Sequence, residues 1–178
     1  MSQASVEVVK EFFIIHNFFV LNKEDILFVK KTGIDEPEET GEFILSGNQV
    51  SRVLNNAVIK PICWHTMTIT PAVLSRSLDI FEFFKGKDAP DNKKFFQGEN
   101  FKKVFIIPSL PVTENLYKKS IGIMKENGID HIIFFSSVLA SLIDKIDERN
   151  VYLSSVNEIF RVLKFYKLFT DKEQELPF

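Results

Sequence analysis

Apolar residues recur along the chain with two different periods, and each change of period marks an element. Val6, Val9, Phe12, Phe13 and Ile15 follow at helical spacing behind Ser5, a residue able to cap, which predicts a first helix over residues 5–17. Phe18-Phe19-Val20 leads into the polar turn Asn22-Lys23-Glu24-Asp25, and residues 26–29 resume as a β-rich run closed by Gly33. Residues 35–41, DEPEETG, read as an acidic loop. Residues 42–45 are expected to pair with the strand before them, as a meander, before Ser46-Gly47-Asn48 turns the chain again. A short element over residues 50–54 and a strand over residues 57–64 follow.

Thr70-Pro71 suits a helix start, since Thr caps and Pro is tolerated in the first turn; Val73, Leu74, Leu78, Phe81 and Phe84 carry that helix to residue 85. Over residues 85–100, KGKDAPDNKKFFQGEN, periodicity gives way to Gly, Pro and Asn, the pattern of a loop. Residues 104–107 are a short apolar run ended by Pro108-Ser109-Leu110-Pro111, as in a strand covered on both faces. A helix over residues 117–127 stops at Gly128, and residues 129–135 form the next strand, so a crossover and a parallel pair are expected. Two amphipathic helices, residues 136–148 and 154–169, close the chain. Their apolar surface serves either the core or a homo-dimer, and the pattern leaves both open. The expected fold is therefore α/β: one domain over residues 1–178 with a central mixed β-sheet flanked by helices, residues 136–178 being its C-terminal helical part.

Composition narrows the function classes. A chain of 178 residues fits one core, and 45% apolar residues with 19 Phe make it globular. A net charge of −2 gives no overall attraction to phosphate, so nucleic-acid contact would need a local patch. Residues 85–103 supply one: six lysines against Asp88, Asp91 and Glu99, with Phe95 and Phe96 interleaved. Lys85, Lys87, Lys93 and Lys94 are the candidate nucleic-acid contacts; the competing reading is a solvated loop whose two Phe return to the core. The lone Cys63 excludes an intramolecular disulfide and fits a reducing compartment. No apolar run reaches about 18 residues, and the first residues lack a basic segment leading into an apolar one. Neither a membrane span nor a signal peptide is expected, and the expected location is cytoplasmic. Phosphate-binding glycine loops are absent from the sequence.

The segment with most chemistry is residues 56–71, NAVIKPICWHTMTITP. Strand alternation puts Val58, Lys60 and Ile62 on one face and Ile59, Pro61 and Cys63 on the other. Pro61 removes a ladder donor, so the strand is expected to be imperfect or near an edge there. Cys63 and His65 share a side, but zinc needs three or four ligands and only His16 and His131 remain, so a buried thiol and a hydrogen-bonded His are expected. A Cys63 nucleophile would need an exposed thiol in contact with a base, which an apolar strand rarely provides. Trp64 either fills core volume or walls a cleft.

Helix, antiparallel meander, central strand, helix and strand-helix-strand, with Trp64-His65 ending the central strand, together resemble the restriction-endonuclease-like, PD-(D/E)xK nuclease superfamily over about residues 5–135. The resemblance implies an Asp at the edge of one strand and an acid-x-Lys on the next, holding a divalent cation. Asp25, in KEDILFV, stands at the first acid, although an Asp there also simply caps a turn. Reading back from Trp64-His65 places Lys60 at the second acid and Ile62 at the lysine. An ammonium then stands where a hard cation needs oxygen ligands. The implied protein is a pseudoenzyme: a nuclease-fold module without a metal or other cofactor, with Ile62, Trp64 and His65 lining the old cleft, that acts by binding protein or nucleic acid. The alternative is a Mg-dependent DNA or RNA nuclease using Asp25, Lys60 and an acid from elsewhere such as Glu42.

Overall fold

The computed structural model describes residues 3–33, 37–62, 65–77, 79–85 and 94–168. In chain order, helix α1 (Gln3–Ile15) precedes strands β1 (Phe18–Lys23), β2 (Ile26–Lys31) and β3 (Ile44–Leu45). A single 3-10 turn, Gly47–Gln49, runs into the short helix α2 (Val50–Val53), and strand β4 (Asn56–Pro61) follows. Helices α3 (Pro71–Arg76) and α4 (Asp79–Lys85) lead to strand β5 (Lys102–Ile107). Helix α5 (Glu114–Glu126), strand β6 (His131–Phe134) and helices α6 (Phe135–Lys145) and α7 (Ser155–Phe165) follow. The architecture is α/β, and the six strands form one mixed sheet in the order β1-β2-β4-β5-β6-β3.

Three adjacent strands, β1, β2 and β4, form an antiparallel meander, while β4, β5, β6 and β3 run parallel. Here the expected pairing of residues 42–45 is corrected. Strand β3 leaves the meander for the far edge, where Ile44 and Leu45 pair with Ile132 and Ile133. Two apolar residues cannot hold an edge alone, and β6, apolar at every position after His131, gives them a template.

Each sheet face carries its own core. Ala57, Ile59, Val104, Ile106 and Ile133 face Val9, Phe12 and Phe13 of α1 and Val138 of α6. Val58, Ile62, Phe105, Ile107 and Ile132 face Leu74 of α3, Phe81 of α4 and Met124 of α5. Alternation along β4 thus follows the sequence pattern. Thr70 caps α3 through its Oγ1, which accepts from the Val73 amide at 3.3 Å, with Pro71 behind it. The expected single helix to residue 85 is two helices, parted after Arg76. Ser5 is no cap: it lies inside α1, buried, with its hydroxyl 2.9 Å from His65 Nε2.

Pro61 sits in a central strand, not at an edge, because it occupies the place where β2 has already ended. Ile59 pairs with Leu27, and one step of two residues further the partner is the Glu24-Asp25 turn, so no ladder bond is forfeited. On the other side Ile62 still donates to Ile106 O at 2.7 Å.

Candidate functional site

Strands β1 and β2 are joined by two residues, Glu24 and Asp25, in register with Lys23 opposite Ile26. Glu24 takes φ 59°, the left-handed conformation such a tight hairpin demands of one central residue. That turn holds Asp25 beside the last residues of β4. Lys60 lies in register with Phe105 and shares the sheet face of Val58, Ile62 and Phe105, so its stem runs over apolar ground. Its ammonium reaches the carboxylate: Nζ donates to Asp25 Oδ2 at 2.7 Å, with the Lys60 side chain 13% exposed and that of Asp25 39%. Two residues 35 positions apart, both candidates from the sequence, are therefore brought together.

The other candidates do not join them. Ile62 is 2% exposed and packed in the core with Val58 and Phe105, so it lines no cleft; its aliphatic chain is held by the α3–α5 helices. His65 is exposed and belongs to the opposite face, its ring 4.5 Å from Phe135 and its Nε2 on Ser5. Cys63 and Trp64 lie outside the described residues. Glu42 precedes β3, four strand spacings from β2, about 19 Å by sheet geometry. Its carboxylate accepts from Gln49 Nε2 at 2.6 Å, so it cannot serve as a second acid beside Asp25. Among the described residues no three His, Cys, Asp or Glu side chains gather to hold a metal ion.

The basic run divides. Lys94 is exposed, while the Lys85 side chain, Lys87 and Lys93 lie outside the described residues. Its aromatics turn inward: Phe96 is fully buried and Phe95 packs 5.1 Å from Phe28. They are not available as a stacking platform for bases.

No family model, curated protein or solved structure matches the chain. Function must therefore be argued from the site itself.

Two clusters escaped the sequence pattern. His16 is buried, with Nδ1 2.7 Å from Phe12 O and Nε2 3.0 Å from Ser141 Oγ, and that hydroxyl lies 2.9 Å from Asn48 Oδ1. Burial holds the ring below the ordinary histidine value of 6.5, against the opposing pull of the Phe12 carbonyl. At the amino-terminal ends of β5 and β6, cavities of about 300 Å³ and 440 Å³ share Lys102, with His131 on one and Asp130 on the other. His131 is buried, its Nδ1 2.9 Å from Glu42 O, and burial lowers its pKa too. No sequence signal marks either cluster, because His16 and Ser141 are 125 positions apart and neither sits in a motif.

Proposed function

We propose that this chain is a non-catalytic module on a restriction-endonuclease-like scaffold, acting by binding a partner. What supports the scaffold is the order of elements: α1, the antiparallel β1-β2-β4 meander, α3 and α4, then β5-α5-β6 with parallel strands. The observation that carries the functional reading is the 2.7 Å pair between Lys60 and Asp25. A divalent cation needs carboxylate oxygens close together, and here the Asp25 carboxylate is held by an ammonium. A metal ion approaching Asp25 meets a fixed positive charge whose stem is packed against the sheet, and it would have to expel that charge to gain a single ligand. The alternative reading, a Mg-dependent nuclease using Asp25 and Lys60, has these two residues in contact, and among the described residues no group of three His, Cys, Asp or Glu side chains that could hold a metal ion.

A protein partner is favoured over nucleic acid. The aromatics of the basic run are turned into the core, while α7 carries Ile159, Phe165 and, just beyond it, Tyr166 and Leu168, each more than half exposed. The purified chain with Mg²⁺ or Mn²⁺ is expected to leave single- and double-stranded DNA and RNA intact. Cleavage that disappears in Asp25→Ala would overturn the reading. Binding to nucleic acid that weakens steeply with salt and is lost in a Lys93→Glu, Lys94→Glu double variant would move the partner from protein to nucleic acid.

A further inference from the structure

Among the described residues strand β1 ends the sheet, and none of their strands lies on its outer side. Which backbone groups face that side follows from two bonds. Thr32 N donates to Asn17 O at 2.9 Å, which makes 17 and 32 a hydrogen-bonded pair in the β1–β2 register. Bonded pairs in an antiparallel ladder alternate, so 19 with 30, 21 with 28 and 23 with 26 bond inward. The two-residue hairpin demands the same phase at 23 and 26. On the other side of β2, Lys31 N donates to Asn55 O at 2.7 Å, as that phase requires. Phe18, Val20 and Asn22 therefore point their N–H and C=O groups outward, and among the described residues no other backbone segment meets them.

Natural edge strands are defended by charge, proline, a bulge or shortness. Strand β1 has six residues in unbroken register, no proline, and no charge before Lys23. It also exposes Phe19 at 57% and Leu21 at 44%, both on the face of Ile26 and Phe28. Such an edge suits one kind of occupant, another strand with matching phase and apolar residues at matching positions.

We propose that the occupant is a second copy of the chain, joined by antiparallel β1–β1 pairing about a two-fold axis at Val20. Centred there, Val20 bonds its own copy through outward groups on both sides. Phe19 then faces the copy's Leu21 as a close, non-bonded pair, twice, on one face. Phe18 faces Asn22, and Lys23 faces Asn17, so no like charges oppose each other across the seam. Other centres do worse. Moving it to Leu21 sets Phe19 against Lys23, and moving it to Phe19 sets Leu21 against Asn17, whose φ of 64° has already left the strand. The axis stands perpendicular to the sheet, so each face continues across the seam. Because the pairing is isologous it closes at two copies, and the opposite edge, β3, has only two residues to offer. The apolar α7 surface decides nothing here, since it sets no register and would accept any apolar partner.

The test is sedimentation over a concentration series of the full chain, with amide exchange measured at both ends of the series. A monomer–dimer equilibrium is expected. In the dimer the amides of Phe18, Val20 and Asn22 slow by about tenfold or more, while those of Phe19 and Leu21, bonded inward, are protected at every concentration. Leu21→Lys alters an exposed side chain and is expected to give a folded monomer; Phe165→Lys on α7 is expected to leave the dimer intact. A chain that stays monomeric at every concentration overturns the proposal. So does a dimer that survives Leu21→Lys, or one lost in Phe165→Lys while the even-numbered β1 amides keep exchanging freely.

Discussion

Lys60 and Asp25 show how unequal the two halves of an ion pair are. The ammonium sits at the end of a stem packed beside Phe105, with 13% of its side chain exposed, whereas the carboxylate is in a surface turn with 39% exposed. Lys60→Met keeps the stem's packing and releases Asp25 to water, so stability is expected to change by less than about 1 kcal/mol. Asp25→Ala instead strands a mostly buried ammonium and is expected to cost about 1–3 kcal/mol. Urea midpoints of the two variants at pH 7.0, read with that of the parent, check the asymmetry; equal losses would show that the pair acts only as a surface contact. His16 makes a similar point about protons. Phe12 O only accepts, so Nδ1 carries the ring's proton when His16 is neutral, and Nε2 must then accept from the Ser141 hydroxyl. The same hydroxyl also lies 2.9 Å from Asn48 Oδ1, so its one proton has two acceptors within reach.

At the level of elements, the stretch before β4 is held by contact with α6 more than by its own pairing. Gly47 opens the 3-10 turn, its amide donating to Ser137 Oγ at 2.7 Å. A Cβ there would meet Ser137 O and Ser141 Cβ, each at 2.6 Å, and both belong to the α6 backbone or its first side-chain atom, which cannot swing aside. Gly47→Ala is expected to destabilise by about 1–3 kcal/mol, with an unchanged dependence on denaturant if the fold survives. Helix α7 is fastened by polar means. Lys164 Nζ donates to Ile143 O and Ile146 O at 3.0 and 2.9 Å, closing the carboxyl end of α6, and Asn157 Nδ2 donates to Glu11 on α1 at 2.9 Å. Its outer residues remain exposed for that reason: few apolar side chains of α7 are used inward.

For the molecule as a whole, two buried histidines on one side of the sheet share one pH dependence. Burial is the main cause that lowers both His16, between α1 and α6, and His131, on β6, from 6.5. Below pH 6.5 the unfolded chain binds protons that the folded chain resists, so stability falls as pH drops from there toward the folded values, and these two groups add no slope above about pH 7.5. The carboxylates Glu99 and Glu158, lowered by hydrogen bonds from Asn56 and Arg161, act in a separate window below 4.5. Urea midpoints between pH 5.0 and 8.0 are expected to decline on the acid side, with a shallower decline in His16→Gln. No helix among the described residues is long and apolar enough to cross a membrane.

Much of the fold was legible from local pattern: the alternation along residues 56–62, the Thr70-Pro71 helix start, the strand-helix-strand around α5 and the closing helices all depend on near neighbours, and near neighbours are what periodicity records. The same pattern placed Lys60 on the face where it meets Asp25. Tertiary structure alone decided what depends on partners far along the chain. Residues 44–45 satisfy any apolar edge, and only the finished sheet makes β6 the edge within reach. Ile62 and His65 were three residues apart in one motif, yet a core on one face took the first, and Ser5 with Phe135 on the other took the second. Phe95 and Phe96 carry no mark in the sequence to say whether they stack on a ligand or on Phe28; the hydrophobic gain of filling that side of the sheet settled it.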